Sequence, residues 1–296
     1  MDLSTNLFDY TKKRGYTYYN LIKDAGVLLS TPGICLEDLS MNILVANDDG
    51  IHAQGLYELV KALSTVKDTK VYVFAPQEQR SAASQSISLR SAVGVYPVEF
   101  DFAEKAFATT GTPADCVVVG LRVLRDMGIH IDMVYSGINH GSNVGTDTLY
   151  SGTVGAAMEG LVQGYPSVAV SVDSHDAEHF QYACELAVDV MTKTDGGWEE
   201  NIIININTPN LPPEAIKGVR YTTIGDREYE NDIRLEKTEG GKDWYKYGGD
   251  PIKYEDESED LDVIAIQNGY ASISVLQPDL SAYEHMLKLK EWRIGK

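Results

Sequence analysis

From residue 41 to about residue 210 the chain alternates short apolar runs with amphipathic stretches. Met41-Asn42-Ile43-Leu44-Val45-Ala46 has the length and the Ile/Leu/Val content of a buried strand. Leu56, Leu59, Val60 and Leu63 then fall at i, i+3, i+4 and i+7, one face of a helix. Val71–Ala75 reads as a second strand, stopped by Pro76. Strand, helix and strand in about thirty residues make a βαβ unit. Val117, Leu121 and Leu124 predict a helix opening at Pro113, and Asp132–Tyr135 a strand. Val154, Ala157, Met158 and Leu161 predict the next helix, and Val168–Val172 the next strand. Phe180, Cys184, Val188 and Met191 mark a further helix before a strand at Ile202–Ile206. The order predicts an α/β fold: a three-layer αβα sandwich around a mostly parallel, Rossmann-like sheet.

The pattern changes after Pro209. Residues 220–260 are polar with Tyr and Trp spots, and the acidic run Glu255–Asp260 reads as a solvated loop. Tyr270–Leu276 reads as a strand and residues 281–292 as a terminal helix. Apolar strands outside the main alternation predict an extended arm or hairpin, which finds burial on another subunit. Residues 1–40 carry Tyr10, Tyr16, Tyr18 and Tyr19 among scattered Lys and Arg without a period, and Gly26–Leu29 is too short for a signal-peptide core. The reading is an N-terminal extension over 1–40 outside the fold, with Met41 favoured as translation start. A core of about 41–210 and a C-terminal arm and helix of about 211–296 follow.

The net charge of −19 argues against nucleic acid and anionic membranes as partners. It also means that an anionic substrate needs a local positive centre, such as a metal. No apolar stretch reaches the ~18 residues of a membrane span. Cys35, Cys116 and Cys184 lie far apart with no CxxC spacing, and read as reduced thiols of a cytoplasmic protein.

The candidate chemistry begins at Asn47-Asp48-Asp49-Gly50, the carboxyl end of the first strand. Open α/β sheets bind ligands there. Neighbouring ionised aspartates repel unless a cation neutralises them, although the same four residues also suit a helix cap. Three further polar segments lie on the same sheet edge: 75–82, 136–145 and Tyr150-Ser151-Gly152-Thr153. Asp48, Asp49, the Ser81 hydroxyl and the Asn139 amide oxygen make a hard-oxygen site for one Mg²⁺ or Mn²⁺. Ser151 and the amides of its helix N-terminus make an anion cradle. Together these are the equipment for phosphate-ester hydrolysis, with Asp48 and Asp49 as the catalytic pair. Gly111–Cys116 fits capping chemistry: Thr112 as N-cap, Pro113 in the first turn, Asp115 near the positive end. His52 and His140 lie in these loops either as hydrogen bonders or as catalysts.

Asn-Asp-Asp-Gly-Ile (47–51), Ala-Pro…Arg-Ser-Ala (75–82), Gly-Thr-Pro-Ala-Asp-Cys (111–116), Ser-Gly-Ile-Asn-His-Gly-Ser-Asn (136–143) and Ser-Gly-Thr-Val…Ala-Met-Glu-Gly (151–160) stand in one order. Asn205-Ile206-Asn207 and Gly269–Ile273 follow them. From Met41 to about Trp292 the chain resembles the SurE family of metal-dependent 5′/3′-nucleotidases. The resemblance implies metal ligation by Asp48, Asp49, Ser81 and Asn139, and phosphate contacts near Asn143, Ser151, Gly152 and Thr153. It implies hydrolysis of nucleoside 5′- and 3′-monophosphates, in some members also of short polyphosphate, by a homodimer or homotetramer with exchanged C-terminal arms. Residues 1–40 have no counterpart in the family pattern, and the acidic run lies in a variable arm. A haloacid-dehalogenase-type phosphatase needs Asp-x-Asp, not an adjacent pair. No G-x-x-x-x-G-K-[ST] of a P-loop occurs. A non-catalytic metal or nucleotide sensor on the same fold is the other alternative, though no ligand position is lost.

Overall fold

The computed structural model describes residues 41–194, 197, 201–230, 233–254, 258–282, 285, 288, 289 and 291–293. The chain divides into two units, Met1–Ser40 and Met41–Lys296. The expectations for residues 1–40, for Glu255–Glu257 of the acidic run and for much of the 281–292 helix lie outside the described residues.

The second unit opens with β1 (Met41–Ala46), α1 (Gln54–Ser64) and β2 (Thr69–Pro76), the predicted βαβ unit. β3 (Val95–Val98), β4 (Lys105–Thr109) and α2 (Pro113–Asp126) follow, then β5 (Met133–His140), α3 (Gly152–Val162), β6 (Ser167–Asp173), α4 (Gln181–Thr194) and β7 (Ile203–Pro209). The C-terminal part contributes β8 (Val219–Thr222), β9 (Ile233–Glu239), β10 (Lys242–Tyr247), α5 (Asp262–Gln267) and β11 (Ala271–Leu276). Nine strands form one sheet in the order β3-β4-β2-β1-β5-β6-β7-β11-β8. From β4 to β7 all neighbours are parallel.

Period-two alternation splits the core. Ile43, Val45, Met133, Tyr135, Val168 and Val170 pack with Leu56, Leu59 and Leu63 of α1 and Ala183 and Ala187 of α4. Leu44, Ala46, Tyr72 and Phe74 turn to the other face, against Cys116, Val117, Leu121 and Leu124 of α2. Helices therefore cover both faces of the sheet, as all-parallel strands require. The chain runs outward from β1 to β2 on one side and returns to pair β5 on the other. This reversal is a topological switch point, and the crevice at the carboxyl ends of β1 and β5 is the expected ligand position. No helix among the described residues is long and apolar enough to cross a membrane.

Three features differ from the pattern reading. β3 and β4 carry weak signals: β3 is an edge strand with Pro97, and β4 (Lys-Ala-Phe-Ala-Thr) has one β-branched residue, at its end. β5 runs past Tyr135 to His140, its register shifting between Ser136 and Asn139. At Gly137 (φ 135°) a Cβ would stand 2.2 Å from the Val170 carbonyl oxygen, so only glycine lets the strand continue. The sheet also goes on past residue 210. β11 pairs antiparallel with β7 and parallel with β8, and the predicted hairpin proves to be β9 and β10 alone. Every residue of those two strands is exposed.

Candidate active site

The backbone leaves β1 through Asn47, whose side chain bonds both the Gly50 carbonyl (2.9 Å) and the Gly50 N–H (3.3 Å). This Asx-type closure sets the turn at Gly50, where φ is 101°. It leaves Asp48 buried and Asp49 partly buried at the switch point.

The three other polar segments converge on this pair. The Thr153 hydroxyl donates to Asp48 Oδ1 at 2.6 Å and the Thr153 N–H to Oδ2 at 3.1 Å. The Arg80 N–H donates to the Asp48 carbonyl at 2.7 Å. Gln79 Nε2 donates to Asp49 Oδ1 at 3.1 Å, and the His140 N–H to Asp49 Oδ2 at 3.0 Å. Thus Asp48 is oriented by the start of α3, and Asp49 by the loop after β2 and the end of β5. Burial, with Asp49's charge adding to it, pushes the Asp48 acid up to about 6 against the opposing Thr153 hydrogen bond. Among the described residues neither aspartate pairs with a lysine or arginine.

Asn139 lies in β5, where its amide nitrogen donates to the Gly141 carbonyl at 2.7 Å. That bond directs the amide oxygen away from Gly141. Ser81 is exposed, one residue beyond the Arg80 anchor. Two carboxylates, an amide oxygen and a hydroxyl are the donor set that a hard divalent ion takes. The pair, crowded in a buried turn without a cation of its own, fits such an ion.

The phosphate candidates divide. Ser151 caps α3, its Oγ accepting from the Val154 N–H at 3.0 Å and keeping its own hydrogen for a ligand. Gly152 follows; a Cβ there would lie 2.8 Å from Asp48 Oδ2 and 3.1 Å from Pro113 Cγ. Only glycine brings the helix N-terminus against that carboxylate. Thr153 has both its donors on Asp48. Asn143 is buried, one amide hydrogen on Ser171 Oγ (2.8 Å), its N–H on Asn207 Oδ1 (2.7 Å) and its carbonyl on Asn205 and Asn207. Asn205 and Asn207, alternating polar positions in apolar β7, were visible as a motif, but not as the support of Asn143.

Gly111–Cys116 is a capping box: Asp115 N–H donates to Thr112 Oγ1 (3.1 Å) and Thr112 N–H to Asp115 Oδ2 (2.9 Å). It does more than cap. Asp115 also accepts from the N–H and hydroxyl of Ser88, and the Thr112 hydroxyl donates to the Ser86 carbonyl, pinning the 86–88 loop. His52 is exposed, and the His140 ring turns to Phe180, 5.2 Å between centroids. The contribution of His140 to the pair is its backbone N–H.

Fold and site define a class: a doubly wound α/β protein with an adjacent aspartate pair and a Ser151-capped helix N-terminus at its switch point. Within it the chain belongs to the SurE family; the family description "Survival protein SurE" matches residues 43–231. The chain is 38% identical over 254 residues to the 5′-nucleotidase SurE of Petrotoga mobilis, covering 85% of this chain and 99% of that protein. It is 40% identical over 245 residues to the 5′-nucleotidase SurE of Syntrophomonas wolfei, covering 82% and 91%. The crystal structure of the SurE protein from Aquifex aeolicus superposes with a TM-score of 0.73 at 34% identity, covering 85% of this chain and 99% of that one.

Proposed function

We propose that this chain is a 5′-nucleotidase that hydrolyses nucleoside 5′- and 3′-monophosphates to nucleoside and phosphate, with one Mg²⁺ or Mn²⁺ per subunit held by Asp48, Asp49, Ser81 and Asn139. The observation that carries the reading is the convergence of three separate segments on the Asp48–Asp49 pair, beside the Ser151 hydroxyl, whose oxygen caps α3 and whose hydrogen is uncommitted. The names of its relatives point to the same substrate class. When bound, the ion lowers the pKa of a coordinated water and offsets charge on the phosphoryl oxygens. The protein's share is orientation. Thr153 holds Asp48; Gln79 and the His140 N–H hold Asp49, which orients the attacking water. The Ser151 hydroxyl and the Gly152 N–H, at the positive end of α3, hold the phosphate in line, since the Thr153 and Val154 amides are taken by Asp48 and Ser151. Attack is direct, so the configuration at phosphorus inverts. The leaving nucleoside oxygen takes its proton from water or from exposed His52. Short polyphosphate presents the same phosphoryl group and fits the same cradle. Subunits assemble as homodimers or homotetramers through the C-terminal segment, and the free thiols Cys116 and Cys184 suit a cytoplasmic location.

A phosphatase assay on nucleoside monophosphates with and without EDTA tests the reading. Activity vanishes on chelation and returns with Mg²⁺ or Mn²⁺; full activity after exhaustive chelation refutes it. Asp48→Asn and Asp49→Asn each lose about a hundredfold or more in turnover. A chiral phosphorothioate substrate gives inversion, whereas retention, or a trapped phosphoenzyme, overturns direct attack.

A further inference from the structure

Arg227 lies in the segment between β8 and the hairpin, and its side chain is only 15% exposed. Its Nε stands 3.2 Å from Asp147 Oδ2 without hydrogen-bond alignment, and its Nη2 3.9 Å from Asp173 Oδ1. Its Nη1 donates to Ser142 Oγ at 3.1 Å. The same network is closed by hydrogen bonds from the Ser142 hydroxyl to Asp173 and from the Tyr229 hydroxyl to Asp147. The Thr146 hydroxyl donates to the Arg227 carbonyl at 3.0 Å. Three residues of the 142–147 loop therefore hang on one residue of the C-terminal segment.

That loop leads straight into the phosphate cradle. The Asp147 carbonyl accepts the Ser151 N–H at 3.1 Å, so whatever fixes Asp147 fixes the residue that caps α3. Its other side is held by Asp262, whose carboxylate accepts the Gly145 N–H at 2.8 Å and the Gly225 N–H at 2.9 Å. At Gly145 a Cβ would meet Arg227 Cβ at 2.9 Å, which shows how closely the two segments pack. The charges also matter. Asp147 and Asp173 are two carboxylates tied to the loop that leads to Ser151, and Arg227 is the guanidinium between them.

We propose that Arg227 is a positioning residue of the phosphate site: its guanidinium, set between Asp147 and Asp173, fixes the 142–147 loop and hence Ser151, and cancels two carboxylates that would otherwise repel the substrate's phosphate. This rests on the reading of Ser151 as the phosphate cradle. Its role is distinct from catalysis, because Arg227 acts through Asp147 and Ser142.

The test uses the full chain with Mn²⁺, and measures inorganic phosphate binding by calorimetry beside the kinetics on a nucleoside monophosphate. Arg227→Met weakens phosphate binding about tenfold or more and raises KM by a similar factor, with a smaller change in kcat. Arg227→Lys, which keeps the charge but not the planar fork, falls between. Arg227→Met with Asp173→Asn regains about threefold or more of the phosphate affinity, a rescue that a purely structural tie would not give. Phosphate affinity and KM unchanged in Arg227→Met, with only the melting temperature lowered, overturns the proposal. If Arg227→Met does not fold, Asp173→Asn alone decides: phosphate binding as tight as wild type or tighter supports the charge balance, and weaker binding refutes it. A wild type that binds phosphate but hydrolyses no nucleotide refutes the proposed activity while the calorimetry still judges Arg227. A wild type that binds no phosphate overturns the cradle and with it the Arg227 proposal, while the nucleotide assay still judges the activity.

Discussion

Gly152 and Thr153 set the geometry of the aspartate pair from behind. A methyl group at Gly152 would press on Asp48, with contacts of 2.8 Å to Oδ2 and 2.9 Å to Cβ, and the backbone of α3 cannot yield without moving Ser151. Thr153 supplies two hydrogen bonds to a carboxylate that burial otherwise disfavours as an ion. Residues that orient a metal ligand are worth about 10–100-fold in affinity or activity. Thr153→Val therefore loses Mn²⁺ affinity by about that factor, measured by titration calorimetry, while Thr153→Ser keeps most of it. Gly152→Ala loses turnover by about tenfold or more in steady-state kinetics. An unchanged Mn²⁺ affinity in Thr153→Val would remove that residue from the support of the site. Sequence reading placed both residues here as phosphate contacts; the hydrogen bonds from Thr153 to Asp48 are what the structure adds. Sequence alone had no means to show that a hydroxyl 105 positions from Asp48 faces that aspartate.

Among the elements the hairpin is the one that the chain by itself leaves unfinished. Leu235 stands opposite Tyr245 and Ile233 opposite Tyr247, so these four side chains share one face. They are 53%, 63%, 50% and 80% exposed. A two-stranded ribbon alone is at best marginally stable in water, and an apolar face on it marks an interaction surface. Its covering by another copy of this chain is the proposal carried over from the arm. Leu235→Glu together with Tyr245→Glu is predicted to shift the assembly to a smaller particle in sedimentation velocity, with little change in the melting temperature of the core. An unchanged mass would show that the hairpin is not the contact. Periodicity pointed to an arm here. It read β11 as a strand without seeing that it pairs with β7, because pairing leaves no mark on the period, and it missed β8 and α5, whose four and six residues carry too few periods to stand out.

At the scale of the molecule the unit Met41–Lys296 contains the nine-stranded sheet and all eight site residues. A chain beginning at Met41 is therefore predicted to keep its melting temperature and turnover; a drop of many degrees on truncation would show that residues 1–40 contribute to the fold. The alternation of buried runs and helical faces was enough to determine β1, β2 and β5 to β7 with their helices. Those signals are local: burial on both faces writes a continuous apolar run, and burial on one helix face writes a 3.6-residue period. The Asp48–Asp49 pair and the strand-end loops were legible for the same reason, since parallel topology sends every such loop to one edge. Only the tertiary structure decided what holds them. Gly145 meets Asp262 across 117 positions, Ser142 meets Arg227 across 85, and Asp49 meets the His140 N–H across 91. A hydrogen bond between residues so far apart imprints no period and no spacing on the chain, and two of these three donors are backbone amides that every residue but proline carries.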